Sequence, residues 1–273
     1  MTPTEFFPIK YVHCNSSNHQ IQAGKIIAEM PVSLTINGEL WITFMCTPTD
    51  LDALAVGFAY NEKMIEGISE VESVQVCDTK ENIDLWLSHS VDRPRNWMRT
   101  SGCTGGLTSV NNTGIKSTPM TNGYVVSAKD ICHLVDSLYK DQKLYRVTGG
   151  VHTSCLSDGN EIILSCEDIG RHNTLDKIAG KYLIERIELP HKFILSTGRI
   201  SSEMLQKAAR IGASFVISRT SPSSLSIELA EKLGITLIGY AHRNQFNIYS
   251  HPERVIFTQF EKPGVILRRI NAF

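Results

Sequence analysis

Apolar and polar positions alternate between residues 31 and 45, with Val32, Leu34 and Ile36 before Asn37-Gly38 and Leu40, Ile42 and Phe44 after it. A period of two selects extended backbone, and Asn-Gly suits the two positive φ angles of a tight turn, so the stretch predicts a β-hairpin. Thr47-Pro-Thr-Asp50 then offers helix-start chemistry, and Leu51, Leu54, Ala55 and Phe58 recur at helical spacing as far as Met64. Val71 to Cys77 and Ile83 to Ser88 are strand-like runs on either side of a turn-like Asp78 to Asn82. Residues 1–125 are therefore expected to form a small α+β domain.

From Ala128 the rhythm changes. Helical patterns at Lys129–Tyr139, Asn173–Tyr182, Ser202–Ile211 and Leu225–Leu233 alternate with short apolar runs at Ile162–Cys166, Phe193–Ser196, Phe215–Ser218 and Thr236–Gly239. Short, wholly apolar strands are expected where both faces of a sheet are covered, and repeated strand–helix–strand units predict an α/β domain, residues 126–273, with a mainly parallel sheet between helices.

The chain has 273 residues, 42% of them hydrophobic and 20% charged, which is the composition of a globular protein with a substantial core. A formal net charge of -1 gives no general attraction to nucleic acid or to a membrane surface, so any anion site must be a local patch. The first ten residues do not read as a secretory signal, and no apolar run approaches membrane-spanning length. Seven scattered cysteines without a Cys-x-x-Cys pair argue against a disulfide framework and against a knuckle-type zinc site. A reducing cytoplasm is the expected compartment.

Cys103 stands apart, within Arg99-Thr-Ser-Gly-Cys-Thr-Gly-Gly-Leu107, a small-residue loop with no apolar period to bury it. Arg93, Arg95 and Arg99 would favour its thiolate. Local chemistry fits a reactive thiol and a turn whose cysteine is incidental equally well. The loop falls between the two regions, where binding clefts are common.

Further candidates come from the second region. Thr148-Gly-Gly-Val-His-Thr-Ser154 gives backbone that a ligand can approach closely. Cys166-Glu-Asp-Ile-Gly-Arg-His-Asn-Thr-Leu-Asp-Lys177 places acids, glycine, Arg, His and Asn at a strand-to-helix junction; it reads either as a ligand loop or as a polar cap, with Asn173 capping and Glu167 or Asp168 paired to Arg171. Ser196-Thr-Gly-Arg-Ile-Ser-Ser-Glu203 and Arg219-Thr-Ser-Pro-Ser-Ser224 repeat the pattern. Strands ending in Arg171, Arg199 and Arg219 would gather positive charge at one sheet edge, a site for an extended phosphate-bearing ligand. Tyr240-Ala-His-Arg-Asn-Gln245 adds donors and an aromatic face after the last strand.

Gly149-Gly150-Val151-His152, Glu167-Asp168-Ile169-Gly170-Arg171-His172-Asn173, Asp176-Lys177 and Ser196-Thr197-Gly198-Arg199 together resemble the FdhD family of formate dehydrogenase accessory proteins, in order and spacing from the hairpin near residue 30 to Tyr249. The resemblance implies a sulfur carrier, a sulfurtransferase that takes persulfide sulfur from a cysteine desulfurase and delivers it to the molybdenum cofactor. That cofactor, in its bis(molybdopterin guanine dinucleotide) form, would be a bound client on its way to the catalytic subunit of formate dehydrogenase, and no permanent metal is expected. Cys103 falls on the family's persulfide-forming cysteine. Tyr240, Ala241, His242, Arg243, Asn244 and Gln245 fall on its cofactor-binding segment, and Arg171, His172 and Arg199 are expected beside it. No nucleic-acid or membrane partner is implied, and the broad surfaces needed are compatible with a homodimer.

Many members resemble a Cys-Gly-x-Cys loop, whereas this chain has Cys103-Thr-Gly-Gly106, so a relay between two loop thiols is excluded and a single-cysteine carrier is left. The family's second domain resembles the cytidine deaminase fold, a three-layer arrangement. Here His152-Thr153-Ser154 lacks the glutamate of a deaminase His-x-Glu, and Cys155 and Cys166 lack the spacing of its paired thiolates, so zinc hydrolysis is not expected. The competing function is a molybdenum cofactor chaperone that binds the client without moving sulfur.

Overall fold

A computed structural model describes residues 4–92, 97–99, 107–109 and 124–257, with backbone alone at 97–99 and 107–109; Cys103 lies outside the described residues. The chain opens with a hairpin that the alternation does not predict, β1 (Phe6–Cys14) against β2 (His19–Ile27), in register from Phe6↔Ile27 to Cys14↔His19. Its turn is closed by Asn15, whose Oδ1 accepts the N–H groups of Ser17 and Asn18 at 3.0 and 2.7 Å, a side-chain turn that carries no Asn-Gly signal. The base rests on the second half of the molecule, with Ile27 packed against Gly150.

β3 (Met30–Ile36) and β4 (Glu39–Cys46) form the predicted hairpin, and Asn37 and Gly38 take the required positive φ of 50° and 82°. α1 (Leu51–Asn61) follows, and β5 (Val71–Val76) with β6 (Asn82–Leu87) completes a sheet of order β4-β3-β6-β5. Leu34, Ile36, Ile83 and Leu85 project from the sheet onto Leu54, Val56 and Phe58 of α1, and Phe44 meets Phe58 edge to face at 5.2 Å. β7 (Trp97–Arg99) pairs antiparallel with β8 (Leu107–Ser109), and the connection between them carries Cys103.

The second half contains β9 (Val126–Ser127), α2 (Ala128–Asp141), α3 (Lys143–Thr148), β10 (His152–Ser157), β11 (Ile162–Asp168), α4 (Arg171–Ile184), β12 (Phe193–Ser196), α5 (Ser202–Ile211), β13 (Phe215–Ser218), α6 (Ser224–Leu233), β14 (Thr236–Gly239), β15 (Asn247–Ile248) and β16 (Val255–Ile256). Six strands form one sheet in the order β11-β10-β12-β13-β14-β15. On one face Leu156, Ile194, Val216 and Leu237 meet Leu175, Leu205, Ala208 and Leu233 of α4, α5 and α6; on the other, Phe193, Phe215 and Ile238 meet Ile131, Leu134 and Leu138 of α2.

The expectation of a mainly parallel sheet is corrected. Only the β12–β13 and β13–β14 pairings are parallel, while β10 runs antiparallel to both β11 and β12, and β15 runs antiparallel to β14. For β10 and β11 the cause is local: Asp158 Oδ1 accepts the N–H groups of Asn160 and Glu161, and Gly159 takes a φ of 102°, so the two strands join through a tight turn that only antiparallel strands can share.

The two halves meet where α1 crosses α4. A Cβ on Gly57 would lie 1.7 Å from the Asp176 carbonyl oxygen, and one on Gly180 would lie 1.9 Å from that of Ala53. These glycines let the two backbones touch. Around the crossing, Asp168 pairs with Lys177 at 2.7 Å, both side chains wholly buried, and Lys177 Nζ also donates to the Thr47 carbonyl at 3.0 Å. Asp176 accepts from Lys207 Nζ at 2.6 and 2.7 Å and from Asn61 Nδ2 at 2.8 Å. Among the described residues no helix is long and apolar enough to cross a membrane.

Candidate anion-binding cleft at the strand ends

The pairing directions bring the carboxyl ends of β11, β12, β13 and β14 to one edge of the sheet, together with the amino end of β10. Where the ladder stops, hydroxyls take over its unpaired groups. Ser196 Oγ accepts the Gly198 N–H at 3.2 Å, Ser218 Oγ donates to the Gly198 carbonyl at 2.7 Å, and the Thr153 N–H is received by Thr197 Oγ1 at 3.0 Å. A cleft of about 600 Å³ opens at this edge, lined by Gln142, Tyr145, Gly149, Gly150, Val151, His152, Ile169, Thr197, Arg219, Thr220 and His242.

The glycines are shaped to their places. Gly149, at φ 68°, ends α3 by donating its N–H to the Tyr145 carbonyl at 2.7 Å. At Gly198 a Cβ would come within 2.9 Å of Arg171 Cβ, so only glycine lets the arginine stem pass beneath the loop.

The predicted residues divide. Arg219 and His242 line the cleft, and Arg199 is exposed just beyond the end of β12. Arg171 is buried under Gly198 and is absent from the cleft lining. His172 turns toward α5, its Nε2 standing 3.6 Å from Glu203 Oε2. In the turn after β14, Tyr240 is exposed with a φ of 50°, Ala241 is buried in the core, and Arg243, Asn244 and Gln245 face solvent. Arg243 Nε pairs with Asp136 Oδ1 at 3.2 Å, and the Gln245 carbonyl accepts the His242 N–H at 2.8 Å.

Burial, reinforced by the positive charge of Arg171, lowers the pKa of His152; burial also lowers that of His172 against the opposing pull of Glu203. Both imidazoles are thus held toward their neutral form, leaving the guanidinium groups as the positive charges of this edge.

The polar-cap alternative is corrected in detail. Gly170, not Asn173, is the N-cap of α4. Asp168 pairs with Lys177 rather than with Arg171, and Asn173 Nδ2 donates to Asp168 Oδ1 at 2.9 Å and to the Met45 carbonyl at 3.0 Å. Glu167 accepts the Leu144 and Tyr145 N–H groups at 2.6 and 3.0 Å and so fixes the start of α3. No sequence motif singles out Gln142 and Tyr145, yet both line the cleft, Gln142 Nε2 donating to Thr153 Oγ1 on β10 at 3.3 Å.

Burial pushes the thiols of Cys46, Cys155 and Cys166 up to about 12, so these cysteines are inert as nucleophiles. Cys155 belongs to the core on the α2 face and Cys166 to the core on the α4 face, so the two thiols lie on opposite sides of the sheet.

The class is now defined: a mixed α/β protein whose cationic, glycine-lined cleft sits at the strand ends of a helix-covered sheet. The model of the FdhD/NarQ family matches residues 27–256, and the chain belongs to that family. Relatives named "Sulfur carrier protein FdhD" include that of Staphylococcus haemolyticus, 36% identical over 85% of this chain and 90% of its own length, and that of Shouchella clausii, 32% identical over 84% and 89%. A crystal structure from Desulfotalea psychrophila, assigned as a formate dehydrogenase accessory protein, matches with a TM-score of 0.79 and 26% identity, covering 93% of this chain and 100% of that one.

Proposed function

We propose that the protein carries sulfur from a cysteine desulfurase to the molybdenum cofactor before that cofactor enters formate dehydrogenase, working in the cytoplasm. The observation that carries this reading is the cleft, which gathers Arg219, His242 and the Gly149-Gly150 backbone at one sheet edge, where phosphates of a guanine dinucleotide client would find donors and positive charge. The names of the relatives supply the sulfur chemistry. The second half is read as a cytidine deaminase-like domain without the deaminase zinc chemistry, in keeping with Cys155 and Cys166 on opposite faces of the sheet.

In the proposed step the Cys103 thiolate attacks the outer sulfur of the desulfurase persulfide. The S–S bond of that persulfide breaks, the desulfurase cysteine leaves as thiolate, and Cys103 becomes a persulfide. Releasing the sulfur as hydrosulfide and restoring Cys103 takes two electrons from two thiols: the first attacks the Cys103 sulfur, expels hydrosulfide and forms a mixed disulfide with Cys103, and the second attacks that disulfide and frees the Cys103 thiolate; with Gly106 in place of a second loop cysteine, both thiols come from outside the loop.

Mass spectrometry after incubation with desulfurase and cysteine tests the proposal. One added sulfur is expected on the Cys103 peptide and none after Cys103→Ala. Equal loading of the variant refutes the assignment. If Cys103→Ala restores formate dehydrogenase activity in a strain lacking the family member while Arg219→Ala does not, the protein is instead a cofactor-binding chaperone.

A further inference from the structure

Tyr139 belongs to none of the strings that build the cleft; it lies near the end of α2, half-buried. The Arg219 guanidinium sits over its ring at 4.2 Å from the centroid, and that of Arg243 at 5.7 Å. Its hydroxyl lies 3.5 Å from His242 Nδ1. One side chain thus touches three donor groups that arrive from the ends of β13 and β14. Arg219 Nε is buried with no hydrogen-bond partner among the described residues, although Arg219 lines the cleft.

We propose that Tyr139 is a positioning residue for a diphosphate-bearing ligand, its ring holding Arg219 and Arg243 as a pair so that each meets one of two successive phosphates. The proposal rests on the anion-cleft reading given above. An arginine already seated on a ring loses less rotamer freedom when it binds, and two seated at a set spacing favour two linked phosphates over one. Asp136, one turn earlier on α2, holds Arg243 in the absence of ligand and would release it to the anion.

Titration calorimetry of the full chain with GDP and GMP as probes tests this, using Tyr139→Phe and Tyr139→Leu. Phenylalanine keeps the ring and loses only the contact to His242, so GDP affinity should stay within about twofold of wild type. Leucine removes both ring contacts, so GDP should bind about tenfold more weakly while GMP loses less, narrowing the preference for the diphosphate. A general weakening through α2 would instead lower both ligands by the same factor. Equal losses for GDP and GMP, or an unchanged GDP affinity in Tyr139→Leu, overturn the role of Tyr139 and leave the cleft standing. Wild-type protein that binds neither nucleotide overturns the cleft reading and the role of Tyr139 together.

Discussion

Replacing Gly180 by alanine sets two effects against each other. Alanine is the better helix former by about 1 kcal/mol, so propensity alone makes the variant more stable. The new Cβ, however, would stand 1.9 Å from the Ala53 carbonyl oxygen and 2.5 Å from its carbon, both backbone atoms with no rotamer to yield. The helices must part by roughly 1 Å before the contact becomes tolerable, and a misfit of this kind costs about 1–3 kcal/mol or more. Parting also stretches the buried links across the crossing, from Asn61 to Asp176 and from Lys177 to Thr47. Loosening a buried charge network adds to the penalty, up to about 3–5 kcal/mol when a partner is lost outright. The net expectation for Gly180→Ala is destabilisation by about 2–4 kcal/mol, or a midpoint lower by roughly 3–7 °C for a chain of this size. Gly67 supplies the control, since a Cβ there meets nothing within 4 Å; Gly67→Ala should fall within about 0.5 kcal/mol of wild type. Urea unfolding followed by circular dichroism measures both. A Gly180→Ala variant as stable as wild type would show that the helices do not meet through their backbones.

Thiol accessibility gives a second check: brief alkylation of the native protein should label exposed Cys14 and partly exposed Cys77, whose thiol is lowered chiefly by the Thr79 hydroxyl, while Cys46, Cys155 and Cys166 react only after unfolding. Labelling of the last three at the rate of Cys77 would contradict their burial. Acid sensitivity gives a third. His152 and His172 are lowered in the folded state, so the unfolded chain binds more protons and stability falls as pH drops below the ordinary imidazole value of about 6.5. His89, raised chiefly by its contact with the Ser90 carbonyl, works in the opposite sense at the surface, so the comparison that isolates the buried pair is His152→Gln/His172→Gln, which should flatten the decline between about pH 6.5 and 5. An unchanged slope in the double variant would mean that neither imidazole is held neutral.

Elements whose signal is local were legible. The Asn37-Gly38 hairpin, α5 and the strands Phe193–Ser196 and Phe215–Ser218 follow from periodicity and caps, because one hydrophobic face or one turn dipeptide decides each. β10 was not legible. His152-Thr-Ser-Cys-Leu-Ser157 has the hydroxyls and neighbouring glycines of a loop, and it is a strand because it fills the space between β11 and β12. The first hairpin escaped for a related reason. Phe7, Ile9, Tyr11, Val12, Ile21 and Ile26 are 41–74% exposed, so no buried face imposes an alternation, and Tyr11 covers Gly24 across the ladder. All of this hairpin but its last residue, Ile27, also precedes the match to the family, which begins at residue 27.

The site itself was half legible, and the reason lies in what its residues hold. The run from Glu167 to Lys177 has the residue types of a catalytic loop, yet Asp168, Asn173 and Lys177 bind Thr47 and Met45 in the other half of the molecule, and Glu167 fixes α3. Buried polar groups of this kind must be paired wherever they sit, so a dense polar string marks a junction as readily as an active site. The cleft draws instead on single residues from several strand ends, and one of them, Arg219, sits over the ring of Tyr139 from a helix that shares no motif with them. The junction matters to the cleft through α4. Its first residue, Arg171, supports the Gly198 loop at the cleft edge, and its later turns carry Asp176, Lys177 and Gly180 into the crossing with α1. Because one helix serves both, the polar string ties the edge of the cleft to the crossing with α1.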